Sequence, residues 1–218
     1  MRGIKAFFAL LLTLTLSLSL ISCNKTRDRD YDEGEVKAAA RELIEASILL
    51  NEIYYGEGIP IAPGENTVTQ GNYKEADLNY LHEHGIVNLK SLREKTTAVF
   101  SEELSEQIFA TVLESIREDG VVRSYVRYFE KVVQNGMYLM VDTQATVYFT
   151  GEREYLYDTM TVLGAEGEHV RVSLTVKVED EEGVFHDMPL TVSLIEEKSG
   201  WRLDSPTYMK YSEYLENL

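Results

Sequence analysis

The chain has 218 residues, and its 37 acidic side chains outnumber its 21 basic ones, so its formal net charge at pH 7 is −16. This charge argues against nucleic acid as a partner, because proteins bind nucleic acid by neutralising phosphates with Lys and Arg. It also opposes adhesion to anionic lipid headgroups and favours cationic partners. The single cysteine excludes an intramolecular disulfide framework.

The first 23 residues have the pattern of an export signal. Arg2 and Lys5 precede an apolar run over residues 6–21, and Ser22 comes before Cys23. The run is shorter than the roughly 20 apolar residues of a transmembrane helix, and it is rich in Ser and Thr. A simple secreted signal would leave Cys23 as a lone free thiol in an oxidising compartment.

This pattern resembles the signal of bacterial lipoproteins, in which the cysteine is lipidated and becomes the mature N-terminus. The resemblance implies a signal peptide over residues 1–22 and an extracytoplasmic protein, lipid-anchored at Cys23 to the outer face of the bacterial cytoplasmic membrane. Residues 23–33 then form the lipidated cysteine and a flexible, charged tether that has nothing to bury. We expect residues 34–218 to form a single domain.

A long helix is predicted at the start of this domain. Asp32 and Glu35 have the spacing of a capping box, and apolar side chains recur behind them at helical intervals. The pattern predicts a helix over about residues 34–54, ending near Gly56.

The next segment, residues 56–87, is rich in Gly and polar side chains and predicts a long loop. A loop of this length is usually functional or mobile. A second helix is predicted from Leu89, and a third from Ser101 to Asp119, with Ser101 as a favourable N-cap.

The second half of the chain predicts strands. Apolar and polar side chains alternate over residues 170–178 and again over residues 188–194. Such alternation is typical of antiparallel strands with one buried face. Residues 124–131, 137–142 and 155–163 also have strand character. Helices followed by strands favour an α+β fold, with N-terminal helices packed on a C-terminal antiparallel meander sheet.

This order of elements is similar to the cystatin-like, nuclear-transport-factor-two-like cone, in which a curved sheet wraps a long N-terminal helix. Four short stretches also resemble envelope lipoproteins and secreted proteins of Gram-positive bacteria, namely residues 53–58, 127–130, 136–139 and 200–208. A fainter similarity runs to small secreted inhibitors of cell-wall D,L-endopeptidases. Because the cone fold hosts isomerases, dehydratases, binding modules and scaffolds, it leaves the function open.

The resembling stretches carry aromatic side chains and two arginines. In one interpretation these line a pocket mouth or a protein-binding edge, with Arg127 and Arg202 as ionic anchors. In the other the rings belong to the core. An arginine inside an apolar strand usually has a carboxylate partner or a ligand. The candidate ligand- or partner-binding residues are Tyr54, Tyr55, Arg127, Tyr128, Asp158, Trp201 and Tyr208.

Asp158 is the best-placed candidate for an enzyme of this fold. On strict alternation it shares a face with Leu156 and Met160, where a buried carboxylate would act as a general base. The alternative is a rim residue that makes a hydrogen bond. No nucleophile motif is present, and we predict no catalytic residue, no metal and no cofactor. We interpret the four histidines as solvated loop residues: His82, His84, His169 and His186.

These observations favour a membrane-anchored binding domain that acts on an envelope protein or a cell-wall partner. Its sharpest version is a cell-wall hydrolase inhibitor that uses residues 56–87 for recognition. A polar sheet face is a further candidate surface, and a small enzyme or small-molecule binder with a cone-shaped pocket is the main alternative. A solute receptor for a transporter fits less well, because the chain is short and lacks a two-lobed pattern. The sequence indicates no oligomeric state.

Overall fold

The computed structural model describes residues 31–114, 117–118, 121–122, 126–134, 136–148, 152–180 and 182–208. The predicted signal peptide, Cys23 and most of the tether lie outside the described residues. Helices α1 to α4 are Glu33–Tyr55, Leu78–Glu83, Leu89–Val99 and Glu102–Val112. The strands, β1 to β10, are Thr69–Gln70, Tyr73–Glu75, Arg117–Glu118, Val121–Val122, Tyr128–Val133, Gly136–Asp142, Arg153–Glu166, His169–Glu179, Phe185–Glu197 and Gly200–Leu203.

Helix α1 confirms the predicted long N-terminal helix. Asp32 is its N-cap, and the Asp32 side chain accepts a hydrogen bond from the Glu35 N–H at 3.0 Å. This bond satisfies one of the four N–H groups that a helix leaves free at its start. The apolar stripe of α1, which includes Val36, Ala40 and Ile44, is fully buried.

Strands β7 to β10 form a four-stranded antiparallel meander, which we call the meander sheet. Burial alternates along β8 and β9 as the sequence predicts, and the buried Val172 and Val192 lie opposite each other. Helix α1 packs on the buried face of this sheet. The α+β prediction, with N-terminal helices and a C-terminal antiparallel sheet, is therefore confirmed.

A second sheet has the strand order β1-β2-β6-β5, and we call it the hairpin sheet. Strands β5 and β6 confirm the predicted strands near residues 124–131 and 137–142. The long loop predicted for residues 56–87 is wrong in part, because this segment contains β1, β2 and α2. The reason is tertiary: β2 pairs with β6, and that pairing supplies order that the local Gly-rich sequence does not predict.

Helices α3 and α4 begin where the sequence predicts. Asn88 caps α3 in a reciprocal pair with Ser91, and Ser101 caps α4. The predicted third helix is too long, because α4 ends at Val112 and Arg117–Glu118 instead pair as a strand with Val121–Val122.

Candidate functional site

Arg127 lies at the C-terminal end of α1 and is only 7 % exposed. Its Nη2 donates to the Gly56 carbonyl at 2.6 Å, and its Nη1 donates to the carbonyls of Tyr54 and Thr146 at 3.3 and 3.0 Å. The carbonyl end of a helix carries partial negative charge, so a cation is favourable there. Among the described residues the Arg127 guanidinium thus bonds to backbone carbonyls and a phenol, where the sequence suggested a carboxylate or a ligand.

Tyr128 joins the same cluster through its hydroxyl, and the residue is fully buried. The hydroxyl donates to the Ile53 carbonyl at 2.6 Å and accepts from the Ile59 N–H and from Arg127 Nε, both at 3.1 Å. Burial raises the pKa of Tyr128, and the neighbouring Arg127 partly offsets that rise. A neutral phenol therefore acts here as both donor and acceptor.

Tyr54 belongs to this end of α1 as well. Its hydroxyl lies 2.7 Å from the Thr96 hydroxyl on α3, and burial raises its pKa well above the ordinary value. Tyr54, Arg127 and Tyr128 thus lie together at this end of α1. Their hydrogen bonds connect α1, α3 and the hairpin sheet, so their role is structural. We call Tyr54, Arg127 and Tyr128 the clamp.

Gly58 packs against the clamp, and sequence reasoning missed it. Its φ is +88°, and a Cβ at this position would lie 2.6 Å from both Arg127 Nη2 and the Tyr128 hydroxyl. Only glycine fits so close an approach in the left-handed region. The available signal was the pair of glycines that flank Glu57 directly after the long helix.

Tyr55 and Tyr208 form a second group at the same end of α1. Their ring centroids lie 4.6 Å apart, and the Tyr148 ring lies 6.0 Å from Tyr55. Burial raises the pKa of Tyr55, and a hydrogen bond with Tyr208 lowers it in part. The tilted contact between Tyr55 and Tyr208 holds the segment after β10 against the helix.

Thr207 is a buried polar residue that sequence reasoning did not select. Its hydroxyl lies 2.6 Å from the Ser47 hydroxyl and accepts from Asn51 Nδ2 at 2.7 Å, while its carbonyl accepts from the Tyr155 hydroxyl. Ser47 and Asn51 would be costly to bury on α1 without such partners.

Asp158 does not lie where alternation placed it. The register of β7 shifts between Leu156 and Thr161, because five steps along β7 lie opposite only two steps along β8 and β7 therefore carries three extra residues. An odd number of extra residues reverses which side chains face inward, so Tyr155 packs against the core before the bulge and Val162 after it. Asp158 lies within the bulge and is exposed, which fits the rim alternative and not a position in the apolar interior.

Trp201 lies apart from the clamp, on β10. It lines a pocket of about 140 Å³ at the N-terminal end of α1, and we call this the acidic pocket. Its buried indole N–H has no hydrogen-bond partner among the described residues. The residues that line the acidic pocket are Tyr31, Asp32, Glu35, Val36, Ala165, Gly167, Glu168, Val170, Glu196 and Trp201.

Residues 60–75, which we call the 60–75 loop, leave the clamp and return to the hairpin sheet. Ile61 pairs with Ala76, and the Asp77 N–H donates to the Pro60 carbonyl, so the two ends of the loop lie together. Between them the Thr67 hydroxyl donates to loop carbonyls. A shallow concavity with a volume of about 510 Å³ lies over this loop. The side chains of Ile61 and Glu65, which line it, are exposed to solvent.

The histidines and the polar face of the meander sheet complete the predicted sites. Within the described ranges, no group of three or more His, Cys, Asp or Glu residues could hold a metal ion. On the outer face of the sheet Thr161, Ser173 and Thr191 lie in one row across three strands.

No protein-family model matches this chain, and comparison with curated proteins finds no significant match. No helix in the described part of the chain has the length and apolar character that crossing a membrane requires.

Proposed function

We propose that this chain is a lipoprotein, anchored through Cys23 to the outer face of the bacterial cytoplasmic membrane, that binds an envelope protein or a cell-wall partner. A cystatin-like cone is the fold we propose, and the packing of α1 on the meander sheet supports it. The sharpest form of the proposal is a cell-wall hydrolase inhibitor that uses the 60–75 loop for recognition.

The rigid base of the 60–75 loop carries this proposal. The loop follows Ile59, which is 1 % exposed and donates its N–H to the Tyr128 hydroxyl, and it ends before Ala76, which is fully buried and donates to the Leu139 carbonyl. A loop held at both ends on a scaffold loses little conformational entropy when it binds. Binding residues are often found on loops of this kind.

The direction of α1 supports the same proposal. The helix has 23 residues, so at a rise of about 1.5 Å each it is roughly 35 Å long. Cys23 precedes its N-terminal end, whereas the 60–75 loop follows its C-terminal end. An anchor at Cys23 therefore leaves the loop at the end of α1 that lies away from the membrane attachment.

The anchor is tested by Cys23→Ala in the full-length protein expressed in a bacterium that processes lipoproteins. We expect the wild-type chain to incorporate radiolabelled palmitate and to sediment with membranes, and the variant to do neither. A matched Ser22→Ala variant keeps the cysteine and should behave as wild type. Membrane retention of Cys23→Ala would show that another element provides the anchor.

The recognition loop is tested by a photo-crosslinking amino acid at Glu65, with the exposed Glu106 on α4 as the control position. In parallel, the wild-type protein and an Ile61→Ser, Glu65→Lys variant are added to purified cell wall under digestion by a D,L-endopeptidase.

We expect a crosslink to an envelope protein or to wall fragments from position 65 only. Slower digestion in the presence of the wild-type protein would support the inhibitor version, with inhibition weakened by about tenfold or more in the variant. Equal crosslinking from both positions, or full inhibition by the variant, would reject this loop as the recognition element.

A further inference from the structure

The turn between β8 and β9 presents two adjacent apolar side chains to solvent. The structure describes this turn at residue 180 and at residues 182–184, and we call these residues together with Phe185 the β8–β9 turn. Val184 is 50 % exposed and Phe185 is 47 % exposed. Since side chains of this kind are mostly buried, an exposed pair at the tip of a hairpin is a candidate contact surface.

Hydrogen bonds within the β8–β9 turn fix its shape. The Asp180 carboxylate accepts from the N–H groups of Glu182 and Val184, both at 2.9 Å, and His186 Nε2 lies 2.7 Å from it. The Asp180 N–H also donates to the Val184 carbonyl at 2.9 Å. The bond from the Val184 N–H, followed by the bond from His186, holds the pKa of Asp180 below its ordinary value. The turn is therefore preformed and loses little conformational entropy when it binds.

Strand β8 runs beside α1 in the same direction, and this fixes the position of the turn. Val170, near the start of β8, lines the acidic pocket at the N-terminal end of α1. Farther along β8, Val176 pairs with Tyr155, whose hydroxyl donates to the Thr207 carbonyl. Thr207 in turn accepts from Asn51, in the second half of α1. The β8–β9 turn therefore lies towards the C-terminal end of α1, which is the end that carries the recognition loop.

We propose that the β8–β9 turn is a second contact with the partner, and that this partner is an envelope protein whose apolar cleft receives Val184 and Phe185. A preformed aromatic side chain suits the role of an anchor in a protein interface. A sugar polymer offers no apolar cleft of this kind, so the turn favours a protein over the cell wall itself. This inference rests on the proposed function, because it assumes that a partner exists.

The charges around the turn indicate which cleft would fit. Residues 178–190 include five acidic side chains and no Lys or Arg. Two basic residues lie beside this segment, namely Lys177, which pairs with Glu154 at 2.8 Å, and Arg153, which lies opposite Val178. The acidic side chains outnumber them, so cations at the rim of the cleft are favourable and speed association at low salt.

The test places a photo-crosslinking amino acid at position 185 of the full-length protein, in a bacterium that processes lipoproteins. Leu163 is the matched control position, because it is also 50 % exposed and lies on β7 beside the start of β8. Digestion with a protease or with a muramidase then distinguishes protein adducts from wall adducts. We expect a protein adduct from position 185 and none from position 163.

Affinity gives a second, quantitative readout. The captured protein is identified and purified, and it is titrated with variants extracted in a non-ionic detergent. We expect Phe185→Ser to weaken binding by about tenfold or more, and Leu163→Ser to change it by less than about twofold. Glu182→Gln should slow association at low salt and have little effect at high salt. Circular dichroism of each variant confirms that the fold is kept.

Three results would overturn this proposal without removing the proposed function. One is an adduct at position 185 that only the muramidase releases, because the partner is then the wall. Another is a protein adduct from position 65 alone, which supports the 60–75 loop without the β8–β9 turn. The third is an equal loss of affinity in Phe185→Ser and Leu163→Ser. Absence of adducts from positions 65, 163 and 185 alike would reject both this contact and the proposed partner.

Discussion

The two ends of α1 carry opposite partial charges, and the protein treats them differently. At the C-terminal end the buried guanidinium of Arg127 meets the carbonyls of Tyr54 and Gly56. At the N-terminal end the carboxylates of Asp32 and Glu35 belong to the lining of the acidic pocket. The C-terminal end is therefore bonded to a buried cation from within the chain, whereas the acidic side chains of the N-terminal end face solvent.

This difference separates side chains whose hydrogen bonds stabilise the fold from side chains that are exposed to solvent. A cation that is 7 % exposed and bonded to carbonyls has little capacity left for a ligand. The carboxylates at the N-terminal end of α1 are exposed instead. The sequence pattern that looked most like a binding site, an arginine among tyrosines, thus lies at the end of α1 where the arginine already bonds to carbonyls of the chain.

The largest expected effect on stability comes from removing the Arg127 guanidinium at the C-terminal end of α1. Arg127→Met removes the donor from the buried carbonyls of Tyr54 and Gly56 and from the carbonyl of the exposed Thr146. Each unsatisfied buried group costs about 1–3 kcal/mol, so we expect the two buried carbonyls to lower the free energy of unfolding by about 2–6 kcal/mol. Urea unfolding followed by circular dichroism measures the loss.

Arg41→Met is the matched control, because Arg41 is an exposed residue of α1 that pairs with Glu45 at 2.9 Å. Exposed pairs contribute little, so we expect this variant to lose less than about 1 kcal/mol. Equal losses in the two arginine variants would show that Arg127 is not a clamp.

A smaller effect comes from crowding the clamp without removing any of its groups. Gly58 and Gly64 both have positive φ, +88° and +109°, but only a Cβ at Gly58 meets other atoms within 4 Å. We expect Gly64→Ala to cost about 1 kcal/mol from backbone strain alone, and Gly58→Ala to cost about 3 kcal/mol. Thermal and urea unfolding measure the loss of stability in each variant. Similar losses would mean that the side chains of Arg127 and Tyr128 move aside at little energetic cost.

The smallest expected effect concerns charges at the N-terminal end of α1, where one variant should raise the stability and another should lower it. Glu168→Gln removes one of four like charges around the acidic pocket, so stability should rise by about 0.2–0.5 kcal/mol at low ionic strength. Glu33→Gln removes a favourable charge from the first turn of α1, and stability should fall by a similar amount. At 1 M salt the Debye length is about 3 Å, and both changes should vanish. A gain that persists in salt would point to a cause other than charge.

Much of the fold follows from local pattern in the sequence. The 3.6-residue stripe of α1 and the two-residue alternation of β8 and β9 each state which face is buried. Short elements do not carry such a signal. Strands β1 and β2 form because β6 lies beside β2, and the bulge in β7 moves Asp158 outward; both are long-range events without a local mark.

The candidate site was predictable only as a list of residues. The sequence selected Tyr54, Tyr55, Arg127, Tyr128 and Tyr208, and all five lie around the C-terminal end of α1. Their roles were not predictable, because the same sequence pattern fits an arginine that bonds to backbone carbonyls and an arginine that binds a ligand. The acidic pocket was missed except for Trp201, since its walls meet only when three distant segments pack together.

The bonds that Thr207 makes have a consequence for the order of folding. Thr207 satisfies Ser47 and Asn51, which precede it by 160 and 156 positions. Contacts at such separation form late, because the intervening chain must first be ordered. Helix α1 therefore cannot finish burying Ser47 and Asn51 until the segment with Thr207 has been made. Such a delay leaves the nascent chain loosely packed for most of its synthesis.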